Sequence, residues 1–341
     1  MWNQTYRKRA FEIALRAALP VILMLGIGSP SLAGEEDWTF QFEPMYMNAY
    51  GHDQHVLTVH EIDLGPPQRD AKKAVNLDVN SNIAYRIETQ KNTRGQWGWG
   101  IDFLIFYTSQ DSGKRNTPVP SGTTVVFEVA DLEFRSSDPA EVLYYKVLTD
   151  TDLEIWTLDF YKTLALSNKS ESGIRLQFGL RLGDFDNNYN ARLGIQNVGG
   201  VELSTASNYG LMMGPLIGLA GDVHLGRNFI EVYIGQSVLI GTAQLSSASR
   251  EFTGPSSTPS IFAEEKFEKN HQNVAIPITE FRIKWTHKVR KNLAIGVGAN
   301  TSTWQDVLVP PGVIPAKGGN GVFHENTIVF FGLLGSIEFT F

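Results

Sequence analysis

The chain of 341 residues contains no cysteine, which excludes a disulfide framework, thiolate catalysis and a cysteine-bound zinc. Basic residues are also in the minority: 29 Lys and Arg stand against 36 Asp and Glu, so there is no basic surplus to draw a nucleic-acid partner. Beyond residue 27 no apolar run reaches the roughly twenty residues that a membrane-spanning helix needs. No repeat of fixed period runs through the sequence, which argues against a propeller or solenoid.

What the chain does have begins with an export address. Arg7, Lys8, Arg9 and Arg16 form a basic start, Ala17 to Ile27 an apolar run broken by Pro20, and Ser31-Leu32-Ala33 the small residues that a signal peptidase reads. That is the layout of a secretory signal peptide over residues 1–33. The segment carries a net of +3 (four basic residues, one acidic), which leaves −10 for residues 34–341. An exported chain without cysteine must hold together by hydrogen-bonded closure and burial.

The dominant pattern after residue 33 is a period of two. In the last fifteen residues, Val329, Phe331, Leu333, Ile337, Phe339 and Phe341 fall on one face, and Glu338 and Thr340 on the other. Ile174, Leu176, Phe178, Leu180 and Leu182 oppose Arg175, Gln177, Gly179 and Arg181; Phe281, Ile283 and Trp285 oppose Glu280, Arg282 and Lys284. Alternation this long is a strand signal. A strand crossing an outer membrane at a tilt needs about ten residues, apolar toward lipid and mixed toward the lumen. The fold class implied is all-β, a transmembrane antiparallel up-and-down barrel over residues 34–341, with Val297 and Leu180 facing lipid and Gly298 facing inward at a position tolerant of serine.

About twelve strands are expected, at 38–49, 75–89, 95–108, 122–134, 152–166, 172–185, 190–203, 209–225, 228–243, 276–289, 292–304 and 326–341; ten to fourteen are compatible with the pattern. Connections at 90–94, 186–189, 226–227 and 290–291 read as tight periplasmic turns. Those at 50–74, 109–121, 167–171, 204–208, 244–275 and 305–325 read as extracellular. A long connection at 135–151 breaks the rule of short turns on one side.

Three constellations bear on chemistry. His52, His55 and His60 cluster with Asp53, Glu61 and Asp63, but their spacing fits no zinc pattern. His287 and His224 sit beside tight turns, where an interface role and lumen hydration explain them. No catalytic set emerges, so the expectation is a protein that is not an enzyme and holds no metal or cofactor. The third constellation is the inward charge: Asp78, Arg86, Glu88, Asp102, Arg175, Arg181, Glu231, Glu280, Arg282 and Lys284 are the expected pore-lining residues. With Glu43, Asp159, Asp222 and Glu338, which share the inward register, nine acidic stand against five basic groups, hinting at cation preference.

Several segments resemble the Legionella-type pore-forming outer-membrane proteins, related to the major outer-membrane protein of that genus. They are Trp156-Thr157-Leu158-Asp159-Phe160, Gly179-Leu180-Arg181, Gly214-Pro215-Leu216-Ile217-Gly218-Leu219, Tyr233-Ile234-Gly235 through Leu239-Ile240-Gly241, the Gly-rich strand before Trp304, and Phe331-Gly332-Leu333-Leu334-Gly335. The likeness covers residues 150–341 and implies a pore-forming barrel. The expected function is passive diffusion of ions and small polar solutes through a charged lumen in the bacterial outer membrane. The alternative is a structural or adhesive barrel acting through extracellular loops, and less so a lipid-modifying barrel enzyme. Expected partners are outer-membrane lipid, lipopolysaccharide and the barrel-assembly machinery reading the C-terminal strand, with no nucleic acid; a homo-oligomer is compatible.

Overall fold

Period-two segments become strands because each places one face on lipid and the other in a lumen, and every backbone N–H and C=O must find a neighbouring strand where water is absent. A computed structural model describes residues 36–50, 54–63, 69–77, 82–93, 97–118, 123–129, 132–136, 144–169, 172–195, 199–253, 260–309 and 324–341. The expected signal peptide and Asp78 lie outside them.

The strands are β1 (Glu36–Tyr50), β2 (Gln54–Asp63), β3 (Arg69–Leu77), β4 (Asn82–Thr93), β5 (Trp97–Pro118), β6 (Thr123–Val129), β7 (Leu132–Ser136), β8 (Tyr144–Lys169), β9 (Ser172–Ile195), β10 (Gly199–Leu225), β11 (Asn228–Thr253), β12 (Ser260–Arg290), β13 (Leu293–Val309) and β14 (His324–Thr340). Ten of them close a barrel in the order β1-β14-β13-β12-β11-β10-β9-β8-β5-β4, and β3-β2-β6-β7 form a separate four-stranded sheet. All pairings are antiparallel, and β1 closes the ring against both β14 and β4.

Ten barrel strands replace the expected twelve for two reasons. Residues 122–134 contribute β6 to the small sheet, where it pairs with β2. Residues 186–189 and 204–208 are no turns at all: β9 and β10 run straight through them, paired Asp186↔Asn208, Asn187↔Ser207 and Tyr189↔Thr205. Asp-Asn-Asn reads as turn chemistry, but here Asn187 faces in while Asp186 and Asn188 face out. With that correction, the turns at 226–227 and 291–292, the end of β4 and start of β5, the end of β8 and start of β9, and both ends of the barrel sequence lie at one end of the barrel, while residues 135–136 and 144–151 belong to β7 and β8. Gly226 takes φ +67°, the left-handed conformation that a two-residue hairpin asks of its first central residue.

The outer face carries the apolar belt. Val297 is 57% exposed and Leu180 42%, as their register requires, and Leu211, Ile217, Ile240 and Leu333 share the surface. Trp97, Trp99, Trp285 and Phe341 are exposed near the tight-turn end, where aromatic girdles of outer-membrane barrels sit. Above the belt the outward face turns polar, at Glu154, Asp184, Asp186 and Asn188. The wall is uneven: β8 to β12 run 24 to 31 residues, whereas β1, β4, β13 and β14 run 12 to 17. A crossing uses about 9–11 residues, so β8–β12 rise well past the membrane on the long-connection side.

Candidate functional site: the closed lumen

Three levels fill the lumen, starting from the tight-turn end. The first is a vestibule of about 390 Å³ lined by Arg175, Asp222, His224, Glu231, Lys288 and Glu338 among others. Asp222 anchors it, meeting Arg175 Nη2 at 3.3 Å and His224 Nε2 at 2.9 Å.

The second level is ionic. Arg181 on β9 donates to both oxygens of Asp159 at 2.7 and 2.6 Å, to Ser237 Oγ at 3.1 Å, and across the lumen to Glu280 on β12 at 2.7 Å. Arg282 on β12 reaches Glu43 on β1 at 3.4 Å and Glu88 on β4 at 3.5 Å. Lys284 meets Gln41 at 2.8 Å, Glu231 at 3.3 Å and Glu43 at 3.5 Å. Arg86 grips Asp102 through its Nε at 2.8 Å and through a second, shorter bond from Nη2. Tyr161 donates to Glu88. Arg181 and Lys284 are each 1% exposed. Charges so far from water persist because each is met by opposite charge and hydrogen bonds.

Glycine gives the large rings their room. A Cβ on Gly100 would collide with the Tyr161 ring, and one on Gly218 with the Tyr233 ring. Tyr161 thereby lies flat over its paired glycine, and Tyr233 stacks beneath the Arg282 guanidinium at 5.4 Å. Laying aromatic rings over strand glycines is a known way of fixing register.

The third level is aromatic and apolar. Phe185 on β9 meets Tyr209 at 5.2 Å and Trp304 on β13 at 6.1 Å; Trp304 meets Phe330 at 6.2 Å, and Phe330 on β14 meets Phe106 on β5 at 5.8 Å. Met45, Met47, Ile155, Ile276 and Ile278 complete one buried cluster. A register shift between Trp304 and Val307, with Asp306 at φ 56°, brings Val307 and Leu308 into that cluster as well.

Every described member of the expected pore-lining set does face inward. Arg86, Glu88, Asp102, Arg181, Glu280, Arg282 and Lys284 are buried in the ionic layer; Arg175 and Glu231 border the vestibule, with Glu231 also paired into that layer. In the described arrangement the layer's charges face one another across the lumen. Sequence reasoning missed Phe106, Phe185, Tyr209, Trp304 and Phe330, the residues of the third level. Their signal was present: apolar residues stand on the inward positions as well as the outward ones over those stretches. The histidine cluster of residues 52–63 lies outside the residues whose side chains are described.

No family model and no curated protein sequence matches the chain. Solved structures do. The outer-membrane protease OmpT of Escherichia coli is 11% identical, with 89% of this chain and 97% of that one covered at a TM-score of 0.44. The toluene transporter TodX of P. putida is 6% identical over 92% and 90%, TM-score 0.18. An anion-selective porin from Comamonas acidovorans is 9% identical over 89% and 100%, TM-score 0.19. At these identities the likeness concerns the barrel alone. It does correct one expectation: a protease stands among these barrels, so the fold gives no ground for holding that the chain is not an enzyme. A closed antiparallel wall with an apolar outer belt is the architecture by which chains span the bacterial outer membrane, and this chain is an all-β barrel of that kind.

Proposed function

We propose that the chain is an outer-membrane barrel sealed at mid-height that works from its extracellular end. The observation that carries this reading is the stacking of two cross-lumen layers, ionic below and aromatic above. Eight strands give interiors filled by side chains and sixteen to eighteen an aqueous channel; ten strands with inward Arg, Met, Phe and Trp sit with the filled class. The working surface is then the raised wall β8–β12 with the small sheet carried in the connections from β1 to β4 and from β5 to β8. Export by a cleaved leader over residues 1–33, recognition of β14 by the assembly machinery and contact with lipopolysaccharide belong to the same proposal.

The test is planar-bilayer conductance of folded, heat-modifiable protein. Wild type is expected to give no steady steps, and Trp304→Ala combined with Arg181→Ala, which opens both layers, is expected to leak. Sustained wild-type conductance would overturn the sealed reading.

A passive pore for ions and small polar solutes is the second reading, favoured by the vestibule and its mixed charges and by the resemblance to the Legionella-type pore-forming proteins. It requires both layers to part. Under it, reversing Arg282 and Lys284 to Glu would raise cation over anion permeability, read as a reversal potential.

A further inference from the structure

Above the aromatic layer the inner wall changes chemistry once more. Thr151 on β8, Asn187 and Tyr189 on β9, and Thr205 and Ser207 on β10 all face inward, each at most 3% exposed. Register makes them one patch: Asn187 pairs with Ser207, and Tyr189 pairs with Thr205 on one side and Thr151 on the other. Among the described residues, the Asn187 amide Nδ2 and Oδ1, the Tyr189 hydroxyl, and the hydroxyls of Thr151, Thr205 and Ser207 have no hydrogen-bond partner. Buried polar groups in folded proteins are nearly always paired, and six such atoms on one contiguous wall call for a common partner.

We infer that this patch is a binding site for an uncharged polyhydroxyl ligand, a saccharide unit. Four hydroxyls and one amide offer donors and acceptors without net charge. A charged ligand would find no counter-charge in the patch, and an apolar one would leave all six atoms unpaired. A sugar hydroxyl both donates and accepts, so it can satisfy each of them. The next inward residues on the same strands, Phe185 and Tyr209, belong to the aromatic layer and form the floor beneath the patch. The sealed reading enters only in placing entry at the extracellular end. Because the patch is covered, binding must wait for the wall to open, so association is expected to be slow.

The experiment uses the full chain folded in detergent and isothermal titration with maltose, N-acetylglucosamine and lipid-free O-polysaccharide fragments, with gluconate and toluene as charged and apolar controls. Neutral sugars are expected to bind and the controls not to. Asn187→Leu and Thr205→Val are each expected to weaken binding at least tenfold while the protein stays heat-modifiable. Binding of the polysaccharide fragment alone would identify the source as surface glycan, and binding of the free sugars a small solute. No sugar binding by folded wild type, binding indifferent to both variants, or a rise in melting temperature in Asn187→Leu without any sugar binding would each overturn the inference. The two proposals fail separately: a conducting barrel that binds sugar refutes the seal, and a silent barrel that binds none refutes the site.

Discussion

Tyr209 on β10 clasps the backbone of Leu308 on β13: its hydroxyl accepts from the Leu308 N–H at 2.5 Å and donates to the Leu308 carbonyl at 3.1 Å. Two strands, β11 and β12, stand between them in the ring, so the side chain crosses the lumen to reach a bulged segment beyond Trp304, where the pairing of β13 with β12 ends.

Tyr209→Phe keeps the ring and removes the clasp. It leaves a buried N–H and C=O without partners, at a cost of about 1–3 kcal/mol. Urea unfolding followed by gel mobility should show that loss, whereas an unchanged midpoint would mean that water replaces the hydroxyl.

Arg181→Met should cost more, about 3–5 kcal/mol, because it strands Asp159 and Glu280 in a buried layer. Adding Asp159→Asn and Glu280→Gln should recover much of that stability. Failure of the triple variant to recover would assign the loss to packing instead of charge.

Val297→Arg places a cation in lipid and should lower folding stability by about 2–4 kcal/mol near the membrane midplane. Gly298→Ser, which the sequence alone marked as tolerated, should also be damaging. A Cβ there would press on the Ile283 carbonyl oxygen and come within 3.0 Å of the Lys284 Cα, and backbone cannot step aside. Refolding yields of the two variants measure both effects.

Deleting Ile337 to Phe341 should abolish assembly. Phe341 exchanges backbone hydrogen bonds with Trp38 at 2.9 and 3.2 Å, and residues 337–340 pair with Thr39 to Phe42. Without them the start of β1 is an open edge in lipid. Membrane-embedded, heat-modifiable product from the deletion would contradict this closure.

Asp186, on the outward face above the belt, should make stability depend on pH. Desolvation, then the Asp184 and Glu154 carboxylates, push its carboxyl up to about 7. A carboxyl raised in the folded state binds its proton more tightly there than in the unfolded chain, so stability is highest at low pH and falls as pH rises from about 4 to about 7. The melting temperature should decline over that window and flatten in Asp186→Asn. A decline of equal size in the variant would point to other groups.

The facing of each strand could be read from residue order, because a period of two leaves no freedom once one face is apolar. Leu180 points to lipid and Arg181 to the lumen for that reason alone. Strand ends were harder. Past the membrane, water replaces lipid outside, so the outward residues of β9 become Asp186, Asn188 and Asn190, and a continuing strand looks like a turn. Pairing partners were not accessible either: β6 alternates as a barrel strand does, yet pairs with β2, since period says which way a side chain points and nothing about which strand lies beside it. The inward charges were found as a set, but a list of residues carries no distances. Only their meeting across ten strands distinguishes a lined channel from a sealed one.

The ionic layer also constrains how this chain can vary over generations. Arg181 answers to Asp159 and Glu280 together, and Arg282 to Glu43 and Glu88, so losing any one carboxylate or guanidinium alone unbalances the charge of the buried layer. Descendants of this sequence should therefore exchange those positions in concert or keep them, while lipid-facing sites such as Val297 and Leu333 drift freely among apolar residues. The slowest-changing surface of the protein is then its inside.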